Sequence, residues 1–259
     1  MSPSPFRLDG QSVLISGAGG GIGHALVAAF RAAGATICGA DRDPALLADL
    51  DLDHRLLFNL ADATATQAAI TAYLAQTGAP DIVVANAGYT RAETLDHLDT
   101  DIWASEVAIN LNGAYAMTAP ILAAMAARGS GNFVFISSIN GLSHYGNPAY
   151  SAAKAGLIAY AKAIAVERGG QGVRANVIAP GSVRTPAWDH RLADNPHLLD
   201  NVLPHYPLGR MVLPLEVANA AVFLSSPAAS GITGIVLPVD AGLSAGNLRF
   251  INDVLRAPQ

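Results

Sequence analysis

The sequence predicts an α/β fold of three layers, doubly wound around a parallel sheet of about seven strands and contained in one domain, residues 1–259. Three observations predict it. Short valine- and isoleucine-rich runs alternate with longer alanine-rich stretches along the whole chain. Hydrophobic residues make up 51% of the chain and charged ones only 14%, as a sheet buried on both faces requires. A glycine-rich turn follows the first apolar run and opens the first amphipathic stretch.

The elements follow in order. The pattern predicts a strand over 13–15 and a helix over 22–33, stopped by Gly34. Strands follow over 37–40 and 56–58, then a helix over 65–77 and a strand over 82–84. One long helix is predicted over 103–128, a strand over 133–136 and a helix over 150–168. The last elements are a strand over 175–178, a helix over 216–224 and a strand over 235–239. Such alternation implies right-handed crossovers between parallel strands. No linker, repeat or low-complexity segment divides the chain. Residues 186–214 depart from the pattern, with prolines at 186, 196, 204, 207 and 214 beside Trp188, His190, His197 and His205. They read as an irregular substrate loop at the carboxyl edge of the sheet.

Charge and composition exclude several classes. A net charge of −5 argues against a nucleic-acid surface. No apolar run reaches the roughly 18 residues of a membrane span. The N-terminus has no basic segment ahead of an apolar one, so the cytoplasm is the expected compartment. Cys38 is the single cysteine, in a predicted strand, so neither a disulfide nor a cysteine metal site forms within one chain. The histidines lack metal-ligand spacing, and no metal is expected.

Two constellations carry chemistry. In Ser16-Gly17-Ala18-Gly19-Gly20-Gly21-Ile22-Gly23, glycines permit a tight turn and let backbone N–H groups approach a pyrophosphate at a helix N-terminus. This is the phosphate turn of a Rossmann dinucleotide site. Asp41 ends the second strand, where a carboxylate accepts from ribose hydroxyls and repels a 2′-phosphate. That favours NAD over NADP, although Arg42 next to it could receive a phosphate. The second constellation is Tyr150 with Lys154, four residues apart on one helix face, and Ser138 upstream. A lysine ammonium pulls a tyrosine pKa down and makes it useful for moving a proton. A serine hydroxyl can hold the substrate oxygen.

With these motifs stand Asn86-Ala87-Gly88, Asn110 in Ile109-Asn110-Leu111-Asn112-Gly113, Ser137-Ser138, Pro180-Gly181, and Thr233-Gly234 leading to Val239-Asp240. Together, and in this order, they closely resemble the short-chain dehydrogenase/reductase family, in its single-domain branch. The resemblance implies that Tyr150 is the general acid/base and that Lys154 lowers its pKa and binds the nicotinamide ribose. It implies that Ser138, within Ser138-Ile139-Asn140-Gly141, polarises the substrate oxygen in preference to Ser137. Asn110 would hold a water that links Lys154 to solvent. Gly17, Gly19, Gly21, Ile22, Gly23, Asp41, Arg42, Asn59, Leu60, Asn86, Ala87 and Gly88 would bind the adenosine and phosphate side. Pro180, Gly181, Val183 and Thr185 would grip the carboxamide. Three residues depart from the family pattern: Ala85 for a common asparagine, Asn59 for a common aspartate, and Ala241 for a usual glycine.

The implied reaction is reversible hydride transfer between a nicotinamide and a secondary alcohol, carbonyl or sugar hemiacetal. Candidate substrate residues are Arg91, Asn140, His144, Asn147, Trp188 and His190. They are mostly polar, which suits a sugar or polyol. A 3-oxoacyl-thioester reductase is the alternative, because Arg91 is also common in acyl-carrier-protein reductases. A non-catalytic dinucleotide-binding regulator is a rival that should have lost Ser138, Tyr150 or Lys154. The resemblance also implies a homotetramer, joined through the helices of Asn110 and Tyr150.

Overall fold

The computed structural model describes residues 4–91 and 93–256, without the side chains of Ala187 and His190. Seven strands form one sheet: β1 (Ser12–Ser16), β2 (Thr36–Asp41), β3 (His54–Leu57), β4 (Ile82–Ala85), β5 (Gly131–Ile136), β6 (Val173–Pro180) and β7 (Val236–Val239). Their order is β3-β2-β1-β4-β5-β6-β7, and every neighbouring pair is parallel. The helices are α1 (Gly21–Ala33), α2 (Ala63–Thr77), α3 (Thr100–Val107), α4 (Gly113–Arg128), α5 (Pro148–Arg168), α6 (Pro186–Asp194), α7 (Leu198–Val202) and α8 (Pro214–Ser225).

Strand side chains alternate between faces, so each strand feeds two cores. Val13 and Ile15 of β1 pack in one core with Leu26 and Phe30 of α1 and with Val217 and Leu224 of α8. Leu14 packs in the other with Ile70 of α2, Met117 and Ile121 of α4, and Leu157 and Ile164 of α5. Both faces are therefore covered, and the predicted three-layer architecture is present. A buried side chain of this size contributes roughly 1.5–3 kcal/mol, so the paired cores hold the strand ends firmly in place.

Local signals set the helix ends. Gly34 closes α1 in the left-handed conformation, φ 97°, its N–H bonded to the Arg31 and Phe30 carbonyls. The Asp62 carboxylate accepts from Ala65 N at the start of α2, and that of Asp99 accepts from Ile102 N at the start of α3. At Ala241, where the resemblance leads one to expect glycine, φ is 54°, a conformation glycine adopts with less strain.

The structure corrects four expectations. β3 covers His54–Leu57 and stops before Phe58, which turns into the core. The helix predicted over 103–128 begins at Thr100 and is interrupted by a π-helical turn, Ala108–Asn112. Residues 186–214 are not irregular throughout: they hold α6, α7 and a short 3₁₀ turn, Leu203–His205. Finally, the path Thr100–Arg128 is long and apolar enough to cross a membrane by length and composition. Here it lies against the sheet, with Met117, Ile121 and Met125 fully buried in the core beside β4 and β5.

The winding reverses between β1 and β4. From β1 the sheet grows outward through β2 and β3, and from β4 through β5, β6 and β7. The carboxyl ends of β1 and β4 thus diverge into a crevice, the position where open α/β sheets bind ligands.

Candidate active site

The glycine turn lies in that crevice. Gly17 has φ 63°, and a Cβ on it would stand 2.8 Å from Ala87 Cα. A Cβ on Gly23 would stand 2.1 Å from the Gly17 carbonyl oxygen, so only glycine lets α1 start this close to the turn. Gly20 caps α1 without any side-chain hydrogen bond to the first turn, which leaves its N–H groups facing the crevice. Ser16 and Asn86 tie the turn to the end of β4. The Ser16 hydroxyl accepts from the N–H of Asn86 (3.1 Å) and of Ala87 (3.2 Å). Asn86 Nδ2 donates to the carbonyls of Ser16 and Gly17, each at 3.1 Å. Thr185 closes the other side, within 2.8 Å of where a Gly21 Cβ would be. This cradle of backbone amides fits a dinucleotide.

Asp41 stands beside the turn. Its Oδ2 accepts from Gly19 N at 3.2 Å and its Oδ1 from Arg42 N at 2.8 Å, while the Arg42 side chain is exposed. Asn59 is exposed and its Oδ1 accepts from Ala61 N at 3.0 Å. Leu60 is buried where α4 begins, so close that a Cβ on Gly113 would meet its carbonyl oxygen at 2.3 Å. Ile22 is half-buried in the first turn of α1. On the far side, Gly181 N donates to Val239 O, and Val183 is buried and bridged to Val212.

The structure brings Ser138, Tyr150 and Lys154 together. The Ser138 hydroxyl lies beside the Tyr150 phenol, where it favours the ionised form. Asn140 N donates to Ser138 Oγ at 3.1 Å and fixes its rotamer. Ser137 is the wrong serine for a physical reason: its hydroxyl is buried and donates to the Lys154 carbonyl at 2.9 Å. Lys154 is 2% exposed, and its Nζ donates to the Ile136 carbonyl at 2.9 Å. That Nζ lies 5.4 Å from the centroid of the Tyr150 ring. Gly88 borders it, since a Cβ there would lie 3.3 Å from Lys154 Nζ and 3.1 Å from Asn110 Oδ1.

One electrostatic expectation is corrected. Burial pushes the Tyr150 phenol up to about 12, the Ser138 hydroxyl opposes the rise, and the Glu106 carboxylate adds to it. Burial lowers the Lys154 ammonium to about 8. Desolvation thus outweighs any pull of Lys154 on Tyr150 among the protein's own groups. Asn110, in the π-helical turn, holds the loop after β4. Its Oδ1 accepts from Tyr89 N at 3.0 Å, and its Nδ2 donates to Tyr89 O and Glu106 O at 2.6 and 2.8 Å.

The substrate candidates divide into two groups. Asn140 is engaged inside the loop: its Nδ2 donates to Gly146 O (2.8 Å) and its Oδ1 accepts from the Ser138 hydroxyl. Asn147 has φ 51° and leads directly into α5. Arg91 and His144 are exposed at the rim, and Trp188 is half-buried under the Arg191 guanidinium, 4.8 Å from its ring centroid. The side chain of His190 lies outside the described residues. Arg191 also pairs with Glu93 at 3.1 Å, which joins α6 to the loop after β4 across the cleft. Ser16 stands in the predicted turn but carries no role of its own there, and Glu106, a fully buried carboxylate one turn before Asn110, is absent from the predicted site. The four-residue spacing was the available signal, since it places both on one helix face.

Comparison with known proteins agrees with this geometry. The profile of the enoyl-(acyl carrier protein) reductase family matches residues 17–244. An oxidoreductase of Schizosaccharomyces pombe is 39% identical over 96% of this chain and 96% of its own. A D-threitol dehydrogenase of Mycolicibacterium smegmatis is 38% identical over 92% and 94%. A 3-oxoacyl-[acyl-carrier-protein] reductase of Thermotoga maritima is 33% identical over 92% and 99%. Among solved structures, a short-chain dehydrogenase/reductase from Burkholderia thailandensis superposes with a TM-score of 0.88 at 43% identity, covering 96% and 98%. A gluconate 5-dehydrogenase from Burkholderia cenocepacia, solved with NADP and tartrate, gives 0.86 at 31% identity, covering 93% and 98%. The chain belongs to the short-chain dehydrogenase/reductase family of nicotinamide-dependent oxidoreductases.

Proposed function

We propose that this protein is an NAD-dependent dehydrogenase of a sugar or polyol, with Tyr150 as the group that exchanges a proton with the substrate oxygen. The observation that carries the reading is the convergence of Ser138, Tyr150 and buried Lys154 beside the amide cradle, with Lys154 Nζ 5.4 Å from the Tyr150 ring centroid. Asp41 supports NAD, because its carboxylate sits against Gly19 N where a 2′-phosphate would meet like charge. The rim supports a polyhydroxylated substrate: Arg91, His144, Trp188 and the Arg191–Glu93 pair offer donors and acceptors that hydroxyls can satisfy. The resemblance to a D-threitol dehydrogenase points the same way.

When bound, an oxidised nicotinamide supplies the hydride acceptor and a positive charge. The chain's own groups do the rest. The backbone amides of the glycine turn and the first turn of α1 receive phosphate oxygens. Ser138 donates to the substrate oxygen and orients it. Tyr150 takes the hydroxyl proton as the carbinol carbon is oxidised, and returns a proton in the reverse direction. Added positive charge lowers a phenol's pKa, so Tyr150 reaches the phenolate at lower pH than the protein's own groups permit.

A second reading, reduction of a 3-oxoacyl thioester, is favoured by the Thermotoga maritima relative. One experiment separates them. Sugars, polyols and hydroxy acids are screened for reduction of NAD and of NADP, and acetoacetyl thioester for oxidation of both reduced forms. The proposal expects polyol turnover with NAD favoured. Turnover of the thioester alone, or a preference for NADP, overturns the corresponding half.

A further inference from the structure

Glu106 lies in α3 with its side chain fully buried, at 0% exposure. The proton-transfer cluster does not use it, and a buried carboxylate is costly unless it is hydrogen-bonded. Two of its contacts hold one loop. The carboxylate oxygen Oε1 accepts from the backbone N–H of Arg91 and, at 3.4 Å, from the Thr90 hydroxyl. One turn later Asn110 holds Tyr89 by both its N–H and its C=O, and also binds the Glu106 carbonyl. Two side chains on one helix face thus tie three consecutive residues, 89–91, to that face. The loop they hold starts at Gly88, which packs against Lys154 Nζ.

We propose that Glu106 is a positioning residue for the dehydrogenase reaction, its carboxylate holding residues 89–91 as a wall of the substrate cleft beside Tyr150. The proposal needs the family's reaction and no particular substrate. Tyr89 and Arg91 lie on the loop held by Asn110 and Glu106, and Tyr150 and Lys154 lie in the first two turns of α5, which packs against α3. The Glu106 charge also opposes ionisation of Tyr150, so its removal has a sign that packing alone does not produce.

Two variants test it. Glu106→Gln keeps an acceptor for Arg91 N and removes the charge, whereas Glu106→Leu removes both. In Glu106→Leu the Arg91 amide should exchange with deuterium about tenfold faster, and KM for the alcohol should rise about tenfold while NAD affinity stays within about twofold. Glu106→Gln should keep the slow Arg91 exchange and move the acid limb of kcat/KM for oxidation to lower pH by about half a unit. Unchanged Arg91 exchange in Glu106→Leu overturns the proposal, as does an unchanged KM. An acid limb left in place by Glu106→Gln, which needs no disruptive substitution, overturns it too. The kinetic arm uses whichever alcohol the screen turns over. The exchange arm uses no substrate, so a failed polyol screen leaves it decisive.

Discussion

Tyr150 and Lys154 illustrate how burial and function oppose each other at single residues. Lys154 is buried and Tyr150 half-buried, and desolvation holds the phenol up to about 12 and the ammonium down to about 8. For Tyr150 this makes proton transfer depend on positioning by Ser138 and on charge from outside the protein's own groups. Tyr150→Phe should lower kcat by at least about a hundredfold while NADH binding, followed by fluorescence titration, survives. Near-normal turnover would remove Tyr150 from the role. For Lys154 the shift has a stability consequence. Its folded pKa lies below the unfolded 10.5, so the unfolded chain binds more protons between about pH 8 and 10.5 and folding stability rises with pH across that window. The shift from 10.5 to about 8 corresponds to about 3 kcal/mol. Urea unfolding of the wild type and of Lys154→Met should therefore diverge. The wild type should gain on the variant by up to about that amount between pH 7 and 10, and a constant difference would show that Lys154 titrates normally.

At the scale of elements, what the sequence showed depended on whether the signal was local. The glycine turn and the Tyr150–Lys154 spacing are local patterns, and both were legible. The helices α6 and α7 were not, because prolines were read as breakers. Pro186 and Pro214 stand in the first turn of α6 and α8, where proline is tolerated and starts a helix. Glu106 was missed because its partners at Thr90 and Arg91 are brought to it only by the crossover from β4 to α3. The sign of the Tyr150 shift was missed because burial is not a sequence property. Among local elements the turn before α1 gives the sharpest prediction. Gly23→Ala puts a Cβ against the Gly17 and Ala18 carbonyls, at 2.1 and 2.5 Å before relaxation. Displacing α1 should weaken NAD binding by about tenfold or more in calorimetric titration. Gly10→Ala is the control: φ is 75° but nothing lies within 4 Å, so it should cost about 1 kcal/mol of stability and leave NAD affinity unchanged. Equal affinities for both variants would refute the steric account of the turn.

At the scale of the whole molecule, one face of the outer helical layer is left uncovered by this chain. Along α5 the residues Ala152, Ala155, Ala159, Ala163 and Val166 are exposed at helical spacing, Val166 to 83%. Tyr115 on α4 is 53% exposed and stacks edge-on against Tyr160 of α5, with ring centroids 5.6 Å apart. Small side chains along a helix let a second helix approach closely, and the aromatic pair beside them adds apolar area that a subunit contact would bury. We propose this face, with the Asn110 and Tyr150 helices of each subunit at the contact, as the one that joins the homotetramer the family resemblance implies. The catalytic residues sit on the opposite, buried side of α5, so assembly would brace the proton-transfer helix without touching its chemistry. Ala159→Glu places a carboxylate in the middle of the stripe. In a free monomer it would stay solvated and leave folding intact, whereas in an assembly it would be buried unpaired at a penalty of several kcal/mol. Light scattering on a size-exclusion column should then give a tetramer for the wild type and a smaller species for the variant, at an unchanged far-ultraviolet dichroism spectrum. A tetramer from both chains would move the interface elsewhere, and a monomeric wild type would end the assembly proposal.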